Sequence, residues 1–411
     1  AGEYFSKYYD SAEARQWLQI GDDCFGNLAK TAKAHEDCNG YQWLTNSHVM
    51  RYALTKPNFA VFENGNARTI ANYAILTMNN LGYQVPYGDT GAWVCWFSEL
   101  PVLRMAEWFY RDGTYRWCVD KKLQARQSRP LWEYDPGGAA KEPTDLAAFD
   151  AIPLDDHWYK SAGGEKSGVT LDHACDKIAF RDSFDPKRAF LLLDGLSNGG
   201  HRHMDGNSVL QWTQNERVWI ADADYIKSLP KYHNGVLILK DGQSATIPDF
   251  VEVEHVADLP SAAVSVTTYR NYAGVDWRRH IIWLKDRMFI VADQMVAKQA
   301  GDYSFRAVWQ TVGNAKINGS AMDVEQGGQW ARFATTADAR VLLDDDALTG
   351  ANWASYPYAG KPVVRVMQSV FNKSLQAGQT FNLFTVLQAS GDKPSQLKIS
   401  RVGDNLAVIS G

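Results

Sequence analysis

From Ala189 onward the apolar residues stop recurring at helical spacing and arrive in short β-rich runs. This change of period divides any fold open to the chain into two parts. AFLLLDG, SVLQWT, RVWIADA, HIIWLK, RMFIVADQ, VVRVMQSV and FNLFTVLQ are punctuated by Gly, Asn and Asp, which marks them as strands. DWRRHIIWLKDRMFIVADQ predicts a hairpin that turns at Lys285-Asp286-Arg287. The second part is therefore expected to be all-β, with many antiparallel strands in stacked sheets.

The first part reads as helical. Asp10 and Glu13 form a capping pair ahead of Trp17, Leu18, Cys24, Phe25, Leu28 and Ala32. A second helix carries Trp43, Leu44, Val49, Tyr52 and Ala53 and ends before Pro57. A third starts near Ala67 and stops near Asn80 and Gly82, and a fourth uses Trp96, Leu100, Leu103 and Trp108. Short loops between consecutive helices imply antiparallel hairpins. Between the two parts, Pro130, Pro136, Gly137, Gly138, Pro143, Pro153, Gly163 and Gly164 break the periodicity. The expected organisation is α+β: helices over 1–125, a linker or irregular excursion over 126–170, and an antiparallel β-domain over 171–411.

The 411 residues exceed one compact core, consistent with two domains. The 42 Lys and Arg against 47 Asp and Glu give a net charge of -5, which argues against nucleic acid as the main partner. Local positive charge in a groove still suits a polyanionic sugar. The 15 Trp and 19 Tyr supply flat apolar faces with polar edges, which suit sugar rings as well as cores. Trp43, Trp93 and Trp96 are candidates for stacking on sugars, with helix-core packing the favoured role for Trp43 and Trp96. No apolar run reaches membrane-spanning length. The chain opens at Ala1 without Met, which fits a mature, processed or truncated chain. Cys24, Cys38, Cys95, Cys118 and Cys175 lack the spacing of a zinc ribbon or a dense disulfide frame.

The most specific stretch is GGHRHMDGNS (199–208). In an extended segment His201 and His203 point the same way. VWIADADY follows with Asp222 and Asp224, then KYHNG with His233. Two imidazoles and one carboxylate are a suitable ligand set for zinc.

GGHRHMDGNS, a hydrophobic strand, WIADADY and HNGVLI together resemble the signature segment of the heparinase II/III-like polysaccharide lyases. The resemblance is best over about 175–295, fair over 1–115 and diffuse beyond 300. It implies an α/α toroid followed by an antiparallel β-sandwich, and β-elimination on uronic-acid-containing polysaccharide. It further implies a structural zinc held by His203, Asp222 and His233, with His201 in the substrate cleft. The interval from Asp222 to His233 is shorter than in the family, which leaves Asp224 as a competitor for Asp222. On the toroid wall, Asn46 and His48 in WLTNSHVMRY stand where the family neutralises the uronate carboxylate. For the catalytic tyrosine the sequence offers Tyr87, although Trp93 sits nearer the family position. Tyr225 and Tyr232 flank the metal loop as alternatives. Arg51, Arg202 and Lys231 are candidate carboxylate or sulfate contacts.

The chemistry explains the residue types. Removing the C5 proton of a uronate places charge on the adjacent carboxylate, which amide and imidazole donors stabilise. A base at C5–H and an acid at the bridging oxygen complete the reaction, and a tyrosine beside a positive group suits either task. Relatives carry five to seven helical hairpins where roughly two are visible here, so an N-terminal fragment or a second chain is expected to complete the toroid. The expected location is secreted, periplasmic or on a bacterial cell surface. Two rivals stand beside this reading. One is a zinc-dependent hydrolase with Asp205 or Asp224 as general base; the other is a non-catalytic binder of acidic polysaccharide.

Overall fold

The computed structural model describes residues 1–34, 36–89, 93, 99–127, 138–197, 203–222, 227–346, 352–403 and 406–411. His201, Arg202, Asp224, Tyr225, Trp96 and Cys95 lie outside the described residues.

Among the described residues, seven α-helices precede the sheets: α1 (Gly2–Tyr9), α2 (Ala12–Leu28), α3 (Asn39–Thr55), α4 (Ala60–Glu63), α5 (Asn66–Leu76), α6 (Glu99–Tyr110) and α7 (Gly113–Ala125). The cap of α2 is Ser11 rather than Asp10. Its Oγ accepts from Ala14 N at 3.1 Å and donates to Glu13 at 2.9 Å, while Asp10 takes a left-handed conformation at the end of α1. Helix α5 buries Ala67, Ile70, Ala71, Ala74 and Ile75, the stripe its spacing predicts. Helix α7 has no such signal in the sequence, because one of its inward positions is Lys122. The buried Nζ donates to Gln84 at 2.9 Å and Glu99 at 3.2 Å.

The first sheet is antiparallel, in the order β1 (Asp150–Pro153), β2 (Cys175–Arg181), β3 (Phe190–Asp194), β4 (Val209–Gln214), β5 (Arg217–Ala221). Its edge strand β1 and the short helix α8 (Asp156–Ser161) arise from the stretch read as irregular. Strand β3 is buried on both faces, which is why FLLLD is a continuous apolar run rather than an alternating one. Phe190 and Leu192 pack with the helices, whereas Leu191 and Leu193 pack against Ile281, Trp283 and Phe289 of the next sheet.

Besides a two-stranded ribbon (Lys398–Gly403 with Leu406–Ser410), two further antiparallel sheets follow. Their strands are β6 (Val236–Lys240), β7 (Gln243–Ser244), β8 (Glu252–Asp258), β9 (Ala262–Tyr272), β10 (Val275–Leu284), β11 (Met288–Ala297), β12 (Gly301–Val312), β13 (Asn314–Asn318), β14 (Ala321–Gln326), β15 (Gln329–Thr335), β16 (Arg340–Asp345), β17 (Val364–Leu375) and β18 (Thr380–Gly391). The larger sheet is ordered β13-β14-β15-β18-β11-β10-β9-β8 and the smaller β16-β17-β12-β6-β7. The predicted hairpin is β10–β11, with Leu284 opposite Met288 and Asp286 at φ 65°. Strand β10 alternates buried and half-buried positions along its whole length, so one face meets the interior. The molecule is thus layered: helices, the first sheet, then the larger sheet.

Candidate metal centre

Where β4 begins and β5 ends, two loops converge. The turn at 203–208 leads into β4, and Asp222 ends β5 ahead of the 3-10 turn Pro230–Tyr232 that delivers His233. The first turn is fixed by backbone. Ser208 N donates to Asp205 O at 2.9 Å, and Asn207 N donates to Asp194 O at 2.8 Å from a left-handed conformation at φ 60°. Gly206 is required by close approach, since a Cβ there would lie 1.8 Å from the Tyr269 hydroxyl.

These turns bring His203, Asp205 and His233 together, all buried, with one ligand atom from each lying within 4.8 Å of the others. The two imidazole rings stand 5.4 Å apart. His203 Nδ1 and His233 Nε2 are buried without hydrogen-bond partners. The other nitrogen of His233, Nδ1, lies 2.8 Å from Asp222 Oδ1, and Asn234 N and Nδ2 donate to Asp222 Oδ2 at 3.1 and 3.0 Å. From the helical side, Gly88 N donates to Asp205 Oδ2 at 3.4 Å, and Asp89 Oδ1 lies 3.9 Å from His203 Nε2.

Burial lowers the His203 imidazole to about 3, helped by the neighbouring His233, so it stays neutral at ordinary pH. Burial acts on His233 in the same sense, but the Asp222 carboxylate beside Nδ1 holds it above its ordinary value. Burial pushes the Asp205 carboxyl up to about 6, against the pull of His233. Buried ring nitrogens without partners need an explanation, and a shared cation supplies one. The donor set of two imidazoles and a carboxylate fits zinc, and Asp222 orients one of them from behind.

The expected ligand set was His203, Asp222 and His233, and this grouping differs from it in the carboxylate. Asp205 stands with the two imidazoles, and Asp222 bonds to His233 from outside the group. Asp205 lies two residues after His203, and the turn at 203–208 rather than an extended segment brings it beside the imidazole. Asp89 carried no signal in the sequence.

Other expected site residues are placed elsewhere. Asn46 is buried and donates to Ala32 O at 3.3 Å, whereas His48 is exposed, with Nδ1 2.8 Å from Leu44 O of its own helix. Residues two apart on a helix do not face each other, and these two side chains lie on different faces of α3. Tyr87 is fully buried, with its hydroxyl 3.2 Å from Tyr73 and Lys177 Nζ 4.5 Å from its ring centre. Trp93 packs on Tyr83, Trp353 and Tyr356 as core rather than as a sugar platform. Trp43 is likewise core. Arg51 and Lys231 are exposed. Tyr232 is half-buried beside the cluster, with Lys227 Nζ at 5.0 Å and Lys231 Nζ at 4.7 Å from its ring centre.

Similar architectures exist among solved structures. Heparan sulfate lyase HepC from Pedobacter heparinus matches with a TM-score of 0.65 at 13% identity, over 99% of this chain and 60% of that one. A structure of heparinase III matches with a TM-score of 0.68 at 10% identity, over 97% of this chain and 63% of that one. The heparinase III BT4657 gene product matches with a TM-score of 0.66 at 12% identity, over 97% of this chain and 59% of that one. The chain has a heparinase-like fold. It spans about three fifths of the length of these heparinases. No protein-family model and no curated protein matches it. Among the described residues no helix is long and apolar enough to cross a membrane.

Proposed function

We propose that this chain carries the site of a polysaccharide lyase that cuts uronic-acid-containing polysaccharide by β-elimination. The observation that supports the reading most is the buried His203, Asp205 and His233 cluster, formed by the HRHMD and HNG segments on a heparinase-like fold. Zinc, when bound, would be held by these three side chains and would tie the two loops into one rigid wall.

The chain's own residues supply the rest. Tyr232 immediately precedes His233 on the same turn, with two lysine ammonium groups beside its ring, and is proposed as the group that gives or takes a proton. Lys231 and Arg202 are proposed to meet substrate carboxylate or sulfate. His201 and Tyr225 remain in the proposal as cleft residues, adjoining the two loops in sequence. Asn46, His48 and Tyr87 are given no catalytic role. The proposed substrate is an acidic polysaccharide met outside the cytoplasm.

A second reading, binding without turnover, draws support from the separation of Asn46 from His48 and the burial of Tyr87. One assay separates the possibilities. A panel of acidic polysaccharides is incubated with the protein and read for ultraviolet absorbance of a 4,5-unsaturated uronate. A rise on one polymer is expected. Chain scission without absorbance would point to hydrolysis, and binding without scission to the second reading.

A further inference from the structure

Arg279 is the one guanidinium on the inward face of β10, between Trp277 and Ile281 in an otherwise apolar alternation. A fully buried charge requires compensation. Asp293 stands directly opposite on β11, and Arg279 Nε and Nη2 bond to its two oxygens at 2.7 and 3.0 Å. Trp277 Nε1 donates to the same carboxylate at 2.7 Å. That pair satisfies one side of the fork.

The remaining nitrogen reaches out of the sheet. Nη1 donates to Asn207 O at 2.7 Å and to Asn234 O at 3.1 Å. Asn207 lies two residues after Asp205, and Asn234 follows His233. One guanidinium therefore grips both ligand-bearing loops by their backbone. On β9, Thr267 stands opposite Arg279 and its hydroxyl donates to Asn207 Oδ1 at 2.7 Å. Thr267, Arg279 and Asp293 thus form a polar row across three strands, aimed at the two turns.

We propose that Arg279 is a positioning residue for the His203, Asp205 and His233 cluster, and that it sets the distance between the two loops and thereby the affinity for a divalent cation. The inference rests on the metal reading above. A planar fork anchored on Asp293 fixes its third nitrogen in space, which a flexible ammonium cannot do. Groups that orient metal ligands from behind commonly change metal affinity 10–100-fold.

The test uses the whole chain titrated with zinc chloride against a chromophoric chelator, beside thermal unfolding of the metal-free form. Arg279→Lys keeps the charge opposite Asp293 and removes the fork. Its zinc dissociation constant is expected to rise about 10–100-fold. Thr267→Val leaves the ion pair intact, keeps the fold testable should Arg279→Lys not fold, and is expected to weaken zinc about fivefold. Metal-free melting temperatures report any purely structural contribution. Variants that melt lower yet bind zinc with wild-type affinity overturn the positioning role alone. Wild-type protein that binds no zinc overturns the cluster reading and the inference with it.

Discussion

Two buried polar clusters lie along the seam between helices and sheets, and they are built on opposite terms. In the first, Lys177 Nζ meets Asp194 at 2.8 Å, Asp176 at 3.0 Å and Asp37 at 3.1 Å, while Lys33 Nζ meets Asp176 at 2.8 Å and Asp37 at 3.0 Å. Burial drives the Asp194 carboxyl well above the usual carboxylate range, against the pull of Lys177. The ammonium groups are saturated with partners, as a structural network must be in low dielectric. In the second, two imidazoles keep buried nitrogens without partners beside the Asp205 carboxylate. The two are joined by backbone: Asp194 O accepts from Asn207 N, and Gly88 touches both Asp37 and Asp205. The difference separates a latch from a candidate site: the lysine ammonium groups have their partners, and the two imidazole nitrogens lack them.

The largest effect is expected from breaking the saturated cluster. Lys177→Met leaves three buried carboxylates around an apolar side chain, and removal of one partner from a buried ion pair typically costs about 3–5 kcal/mol. Chemical denaturation should show this as a lower midpoint at unchanged slope, independent of added zinc. An unchanged midpoint would mean that the network contributes nothing to docking. The unsaturated cluster should respond in the reverse way. His203→Ala should leave metal-free stability nearly intact and abolish stabilisation by zinc, which for a wild-type site at 100 times its dissociation constant is about 2.7 kcal/mol. Metal analysis together with calorimetry reads both quantities. Full zinc content in the variant would remove His203 from the ligand set.

The same contrast explains what could be read in advance. Strands β3, β4, β5, β10 and β11 were legible because their apolar periods are set by burial, which sequence records directly. Helix α7 was not, because Lys122 occupies an inward position that only Glu99 and Gln84 make tolerable. Strand β1 was lost among prolines and glycines, and its four residues are defined by pairing with β2 rather than by any period of their own. At the site, His203 and His233 were legible as residues of unusual type in a compact motif. The role of Asp205 depended on the turn that folds it back beside His203, and the latch could not be seen at all. Its members at 33 and 37 lie between α2 and α3, and those at 176, 177 and 194 on β2 and β3, so tertiary folding alone brings them together. Arg279 was not singled out, because Arg278 and His280 flank it in the sequence and its targets, two backbone carbonyls, leave no mark there.

The smallest effect bears on the helix face that motif matching singled out. His48 is exposed and bonded only to the carbonyl one turn back, so neither rule of the comparison applies: it is neither saturated in a buried network nor held unpartnered inside one. His48→Ala should change stability by no more than about 0.5 kcal/mol, as for surface positions in general. It should leave the rate of double-bond formation on a responsive polysaccharide within twofold of wild type. Asn46→Ala, by contrast, should cost about 1 kcal/mol through the lost bond to Ala32 O, with no greater effect on rate than its effect on folded fraction. A tenfold fall in rate for His48→Ala at unchanged stability would show that an exposed group on α3 meets substrate. The division into latch and site would then fail to contain the chemistry, because a reacting side chain would lie outside both.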